Sequence, residues 1–220
     1  MEAAVRDSGL DPRGAFHPRP QDAVPPLADG RPTLTLVLLG NAGPRMWDAF
    51  APTRTFGPHP LDHWTREVVT ALAQRLGATP LFPFDGPPHH PFQRWAMRAG
   101  PVHPSPLGIL VHPELGLWHA YRAALALGEH LPLPPRASTA SPCDACADRP
   151  CLSACPVGAF APEGFDPAAC GDWLARPRGE RCMHDGCAAR LACPVGRDRR
   201  YAPAQMRFHM AAFARAVDRS

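Results

Sequence analysis

The chain has 220 residues, of which 45% are hydrophobic and 20% are charged, so it can bury a core and is not disordered as a whole. It contains no apolar run of the roughly 18 to 20 residues that a membrane-spanning helix needs, and no export signal at its start, which predicts a cytoplasmic protein without a membrane partner. The formal net charge of +3 does not demand a nucleic-acid partner, and we expect none.

The first part of the chain predicts a lead-in followed by one domain. Residues 1–30 are interrupted by proline and glycine, which predicts an irregular N-terminal segment. Residues 31–128 predict a domain of mixed helix and strand. Its predicted strands are 33–39, 78–84, 107–111 and 117–127, and its predicted helices are 62–76 and 92–99. The turn-forming residues 112–116 predict a hairpin between the last two strands.

The rest of the chain predicts a linker and a second domain. Residues 129–142 are rich in proline and predict the linker. Residues 143–220 predict a cysteine domain, with a closing helix over 203–217 whose apolar residues recur at helical spacing. The overall prediction is an α+β fold.

All eight cysteines lie between positions 143 and 193. Disulfides are typical of short secreted chains, whereas clustered cysteines in a cytosolic protein favour a metal site. The first group is Cys-x2-Cys-x4-Cys-x3-Cys-Pro, one cysteine stands alone, and the last group is Cys-x4-Cys-x5-Cys-Pro. The sequence Cys-Pro-Val-Gly occurs in both groups, at 155–158 and 193–196.

This spacing indicates two iron–sulfur clusters. In bacterial two-cluster ferredoxins, three cysteines of a short run bind one [4Fe-4S] cluster and the fourth, which precedes proline, binds the other. By the same logic, the ligands of cluster 1 would be Cys143, Cys146, Cys151 and Cys193. The ligands of cluster 2 would be Cys155, Cys170, Cys182 and Cys187. The x4 and x5 gaps depart from the ferredoxin run, and four cysteines also bind structural zinc, so a zinc-binding module stays an open alternative.

Residues upstream of the cysteines add a resemblance to a known family. Asp85-Gly-Pro-Pro precedes a short segment, 94–100, that contains arginine and ends in Ala-Gly, and 107–118 contains His-Pro followed by Gly-Leu-Trp. Together with the order of the cysteines, these motifs resemble the catalytic part of epoxyqueuosine reductase and its corrinoid-binding iron–sulfur relatives. A similar His-Pro…Gly-x-Trp segment occurs in cobalamin-trafficking proteins of the nitroreductase-like scaffold.

The resemblance implies a fold, a cofactor and a set of residues. It implies a mixed-sheet, nitroreductase-like domain that holds a cobalamin above a dicluster ferredoxin-like domain. Asp85 stands where the family keeps its proton-donating acid, and a general acid at this point suits a reduction that must also deliver a proton. The residues that would line the corrinoid pocket are His112, Trp118, His119 and Tyr121.

Two departures from the family limit what is carried over. The helical repeats that help the reductase hold tRNA have no counterpart here, and the segment after Ala-Gly is Pro-Val-His-Pro-Ser rather than the family's basic motif. We therefore do not carry over the tRNA substrate. The prediction is an iron–sulfur oxidoreductase that passes electrons to a corrinoid and an unknown small substrate. The alternative is an electron carrier or reductive activator that serves a protein redox partner and has no substrate of its own.

Overall fold

The computed structural model describes residues 1–136, 139–161 and 164–217. Positions 137–138 of the predicted linker and 162–163 and 218–220 of the predicted cysteine domain lie outside the described residues. Contacts between Cα atoms divide the chain into two compact units. One consists of Met1–Pro101 and the segment that begins at His119, and the other consists of Val102–Trp118 and the chain from Thr139 onward. Residues 102–118, which we predicted in the first domain, thus belong to the unit that contains the cysteines.

The helices and strands are numbered in chain order. The helices are α1 (Glu2–Asp7), α2 (Arg45–Phe50), α3 (Pro60–Leu76), α4 (Phe92–Ala99), α5 (Pro150–Ser153), α6 (Pro167–Leu174), α7 (Glu180–Asp185), α8 (Ala188–Ala192) and α9 (Pro203–Val217). The strands are β1 (Asp11–Phe16), β2 (Thr35–Asn41), β3 (Thr79–Leu81), β4 (His103–Pro104), β5 (Leu110–Val111), β6 (Ala120–Leu127), β7 (Phe160–Ala161) and β8 (Gly164–Phe165). Among the described residues, no helix combines the length and the apolar character needed to cross a membrane.

The first unit is built on a four-stranded sheet with the order β1-β2-β6-β3. Every neighbouring pair in it is antiparallel, so the predicted mixed sheet is wrong in this respect. Strands β2 and β3 precede and follow α3 in the chain and run in the same direction. They do not pair with each other, because β6 lies between them and pairs with both. The buried strands β2 and β6 form the core of the unit.

The N-terminal segment is ordered, which corrects the predicted irregular lead-in. It contains α1 and β1, and β1 pairs with β2 along the edge of the sheet. Proline and glycine in this segment did not predict a strand, but both are tolerated here because an edge strand has one unpaired side. The register of its pairing with β2 shifts between Pro12 and Ala15. Gly14 also allows β1 to pack closely against the end of α4, because a Cβ at position 14 would stand 2.4 Å from the Ala99 carbonyl oxygen.

Several predicted elements are confirmed, with changes at their ends. The helices predicted over 92–99 and 203–217 have those bounds, and the helix predicted from 62 begins two residues earlier at Pro60, a residue favoured in the first helical turn. The strand predicted over 78–84 is shortened to Thr79–Leu81. The strand predicted over 117–127 begins at Ala120.

In the second unit, short helices and strands surround the cysteines. Helix α5 packs against α8, and α6 and α7 pack against α9. The predicted turn at 112–116 exists, since His112 and Gly116 exchange backbone hydrogen bonds of 2.8 and 2.9 Å. The predicted hairpin is wrong, because β5 pairs with β4 while β6 belongs to the large sheet of the first unit.

Candidate metal centre

Four cysteines of the second unit come from three places in the chain and lie in one neighbourhood. Cys143 and Cys146 lie in the turn before α5, Cys151 lies inside α5, and Cys193 follows α8. Burial is the largest influence on the Cys143 thiol and raises its pKa. The Ser141 hydroxyl lowers this pKa, and the neighbouring thiols of Cys193, Cys151 and Cys146 raise it again. These four are the predicted ligands of cluster 1.

The other four cysteines form a second neighbourhood. Cys155 follows α5, Cys170 lies in α6, Cys182 lies in α7, and Cys187 precedes α8. Burial, and to a lesser degree the thiols of Cys187, Cys155 and Cys182 and the Asp166 carboxylate, raise the pKa of Cys170 to about 11. These four are the predicted ligands of cluster 2.

The chemistry of both sets suits a metal. All eight side chains are free cysteines. The thiolate is the form that binds a metal, and burial together with like charges opposes its formation in the absence of a cation. An iron–sulfur cluster bound by the four cysteines of a set would stabilise their thiolates together. Among the described residues, no three or more His, Cys, Asp or Glu side chains are arranged so that they would hold a single metal ion.

Backbone amides point at several of these sulfurs. The amide of Ala159 donates to the Cys155 sulfur over 3.4 Å. The amides of Ala189 and Arg190 lower the pKa of Cys187, although burial raises it more. Amide donors of this kind stabilise negative sulfur and tune the potential of iron–sulfur clusters.

An apolar cluster surrounds the sulfurs and explains why residues 102–118 belong to this unit. The buried side chains of Leu107, Val111 and Leu117 pack together with Ala189 and Cys193. Partly buried residues pack against this cluster, namely Cys143, Cys151, Cys155, Phe160, Cys187 and Val195. The segment 107–118, which carried part of the family resemblance, thus supplies part of the apolar surroundings of the cysteines.

Two glycines bring two turns of this unit into direct backbone contact. A Cβ on Gly116 would stand 2.1 Å from the Val195 carbonyl oxygen, and one on Gly196 would stand 2.4 Å from the carbonyl group of Leu115. Both glycines have the left-handed backbone, with φ of +57° and +69°. The turn at 112–116 therefore packs against the Cys-Pro-Val-Gly turn that follows the last cysteine.

His112 and Trp118, two of the predicted corrinoid-pocket residues, are engaged within this second unit. The His112 Nδ1 atom accepts hydrogen bonds from the amides of Glu114 and Leu115, at 3.1 and 3.2 Å. Trp118 is 1% exposed and stacks with Arg190, whose Cζ lies 4.5 Å from the centre of the indole ring. The contacts of both side chains are thus with residues of the second unit.

His119 and Tyr121, the other two predicted pocket residues, lie in the first unit and contact each other. Their rings meet edge to face at 5.7 Å, and the Arg13 guanidinium lies 5.6 Å from the centre of the Tyr121 ring. Burial raises the pKa of Tyr121, and Arg13 lowers it by less. Arg13 acts on Tyr121 both by its charge and through a side-chain hydrogen bond, so the two side chains are partners of each other.

Asp85, the proposed proton donor, lies in an exposed ion pair with an arginine. Its side chain is 37% exposed, and Arg66 Nη2 lies 2.5 Å from its Oδ1 atom. The Arg66 guanidinium also stacks on Phe82 and Phe84, at 4.5 and 5.1 Å from the ring centres. The Asp85 carboxylate is engaged in this ion pair, and its proton-donor role stays a prediction.

A groove of about 800 Å³ along one side of α3, next to this ion pair, was not expected from the sequence. Its lining includes Asp62, whose carboxylate pairs with Arg122, and Arg66, which pairs with Asp85. These pairs join residues 60 and 19 positions apart, so no local pattern announces them. The groove contains charges of both signs and does not by itself select a class of ligand.

Comparisons with known proteins identify the fold. No protein-family model matches the chain, and no curated protein matches it in sequence. The structure is similar to that of CblC, a B12-trafficking protein of C. elegans and a homologue of human MMACHC, with a TM-score of 0.51 and 14% identity over 96% of this chain and 93% of that one. This likeness establishes the fold alone.

Epoxyqueuosine reductases are also found, with lower scores. One, solved with an epoxyqueuosine-modified tRNA stem loop, has a TM-score of 0.49 and 18% identity over 77% of this chain and 50% of that one. Another, from Streptococcus thermophilus, has a TM-score of 0.46 and 16% identity over 75% of this chain and 50% of that one. The chain spans about half the length of these reductases. Similarity at these TM-scores does not establish a shared fold.

Proposed function

We propose that the protein is an iron–sulfur oxidoreductase that passes electrons through two [4Fe-4S] clusters to a corrinoid cofactor and a small substrate. The observation that supports this proposal is that the thiols of each proposed set influence one another, and that five of the eight cysteines belong to or pack against one apolar cluster. The proposed ligands are those of the two sets described above. The proposal includes no nucleic-acid partner, because the net charge is only +3.

The two sets share two short helices. The first set has Cys151 in α5 and the second has Cys155 directly after it, while Cys187 precedes α8 and Cys193 follows it. Helices α5 and α8 pack against each other. Clusters bound by these residues would therefore be neighbours and would supply a path for single electrons.

The corrinoid is proposed on two grounds. The first is the shared fold with a protein that is named for B12 trafficking, over nearly the whole length of both chains. The second is the group of polar side chains formed by Arg13, His119 and Tyr121, which lie together in the first unit where they could contact a ligand. Since Trp118 and His112 are engaged in the second unit, we assign the proposed corrinoid contacts to His119 and Tyr121.

A second candidate is a reductive activator that passes electrons to a partner corrinoid protein without a substrate of its own. The similarity to a trafficking protein, rather than to a complete reductase, favours this candidate. The two candidates differ in one measurable property. The oxidoreductase turns over a small substrate by itself, whereas the activator shows turnover only with its partner protein.

Anaerobic purification followed by iron, sulfide, zinc and cobalt analysis tests the proposal. We expect about eight iron and eight sulfide per chain, with a broad visible absorption that decreases on reduction. Cobalamin added to the protein should bind and show absorption bands that change when the clusters are reduced. About two zinc atoms and no iron would establish the structural zinc module instead. Intact clusters with no binding of any corrinoid would contradict the corrinoid part alone.

Replacing Asp85 by asparagine tests the proposed proton donor. We expect a loss of about 10²- to 10⁴-fold in the rate at which the cobalamin-loaded protein reduces its small substrate, because a reduction that adds electrons to the substrate must also deliver a proton to it. Iron content should be unchanged, and stability should fall by at most about 1 kcal/mol, since the pair with Arg66 is solvent-exposed. Asp62→Asn is the matched control, since Asp62 is also paired with an arginine. Equal rates in both variants would remove Asp85 from the mechanism.

A further inference from the structure

Arg190 connects the backbones of two cysteines that are proposed to bind different clusters. It lies in α8, between Cys187, which precedes this helix, and Cys193, which follows it. Its amide donates to the Cys187 sulfur, and its carbonyl oxygen accepts a hydrogen bond of 3.3 Å from the Cys193 amide. Any displacement of Arg190 would therefore act on one ligand of each set.

The side chain of Arg190 is held on three sides. Its Nε and Nη2 atoms both donate to the Leu117 carbonyl oxygen, the first over 3.1 Å. Its Cζ atom lies 4.5 Å from the centre of the Trp118 ring and 4.7 Å from that of Tyr201. The two rings are themselves in edge contact at 5.4 Å, and both are buried. A planar guanidinium can use its donors and its face in this way, whereas a lysine ammonium cannot.

The charge of Arg190 is not cancelled by a carboxylate. In the described part of the chain, no Asp or Glu forms a salt bridge with it, and its bonds go to a neutral carbonyl and to aromatic faces. The Leu117 residue that it binds belongs to the apolar cluster that includes Cys193. A partly buried positive charge beside such an apolar cluster is screened less by solvent than a charge on the surface.

We propose that Arg190 is a positioning residue for both clusters, and that its guanidinium raises the reduction potential of at least one of them. This inference rests on the proposed two-cluster function. Reduction adds one negative charge to a cluster, and a nearby fixed cation stabilises the reduced form more than the oxidised form. The hydrogen bonds to Leu117 and the stacking on Trp118 and Tyr201 hold that cation, together with α8, in one place.

Three variants of the full chain, purified anaerobically, test this inference. Arg190→Gln removes the charge, Arg190→Lys keeps the charge but loses the planar contacts, and Arg200→Gln is the matched control. Arg200 also donates to a carbonyl of this region, that of Leu191, but it is exposed. The measurements are iron and sulfide content, the rate of iron loss to a chelator, and midpoint potentials from redox titrations followed by electron paramagnetic resonance.

The expected results differ between the variants. Arg190→Gln should shift the reduction equilibrium of at least one cluster about tenfold toward the oxidised form, which is about 59 mV for a one-electron couple. Arg190→Lys should keep its potentials near those of the natural chain but lose iron several-fold faster, because α8 is held less firmly. Arg200→Gln should change neither property, since solvent and salt screen an exposed charge.

The outcomes separate this inference from the function on which it rests. Zinc in place of iron in the natural chain would overturn the proposed function and this inference together. Two intact clusters in the natural chain, with unchanged potentials in Arg190→Gln, would overturn the inference alone. If Arg190→Gln does not fold, Tyr201→Leu provides the test by removing one stacking face. It should lower the same potential by less and speed iron loss, and unchanged values of both would overturn the inference.

Discussion

Replacing Cys151 and Cys193 together by alanine should remove no more iron than replacing either one alone. Both are proposed ligands of cluster 1, although 42 positions separate them in the sequence. Each single variant, and the double variant, should retain the other cluster and about four of about eight iron atoms per chain. Iron and sulfide analysis of the anaerobically purified proteins measures this directly.

Replacing Cys151 and Cys155 together should have a much larger effect and remove both clusters. The two cysteines are only four positions apart, but they lie in different neighbourhoods of thiols. This pair is the control for the first, because both double variants remove two sulfurs. If each run of cysteines instead served its own cluster, the results would be exchanged. The Cys151 and Cys155 variant would then retain one cluster, and the Cys151 and Cys193 variant would retain none.

Gly196→Ala should destabilise the chain more than Gly158→Ala, although the two glycines occupy the same place in the repeated Cys-Pro-Val-Gly sequence. Both have a left-handed backbone, with φ of +69° and +61°, so alanine costs about 1–2 kcal/mol at either position. The Cβ at 158 would meet nothing within 4 Å, whereas the Cβ at 196 would overlap the Leu115 carbonyl group. Relief of that overlap should cost about 1–3 kcal/mol more.

The free energy of unfolding in urea, together with the iron content, measures this difference. Because the displaced turn follows Cys193 directly, Gly196→Ala should also lower the iron content, while Gly158→Ala should not. Gly116→Ala provides an independent check from the other side of the contact, since its Cβ would overlap the Val195 carbonyl oxygen. Equal losses of stability in Gly196→Ala and Gly158→Ala would show that the two turns are not in contact.

Local patterns predicted the elements whose formation depends on neighbours in the sequence. The helices α4 and α9 have the predicted bounds because apolar spacing and the flanking glycine and proline residues are local signals. The N-terminal strand β1 was missed because its partner, β2, lies some 20 residues further on and its own sequence, with proline and glycine, has no strand pattern. Whether β1 forms therefore depends on its pairing with β2.

The site residues divide in a similar way. The spacing of the cysteines predicted two sets of four ligands, and that assignment stays a prediction, although thiols of each proposed set raise the pKa of one of its members. Arg190 was missed, although it lies within the Cys-x5-Cys spacing, because its importance comes from Leu117, Trp118 and Tyr201, which are distant in sequence. For Asp85, no local pattern announced the exposed ion pair that it forms with an arginine from α3.

Length, composition and cysteine spacing thus determined, by themselves, that the chain has a core, an α+β architecture and a compact group of thiols, because these follow from residue type and from local order. The tertiary structure alone decided that residues 102–118 belong with the cysteines, that the large sheet is antiparallel, and that Arg190 is fixed between two rings. These features depend on contacts between distant segments, and the free energy of such contacts comes from packing and burial that no local pattern records.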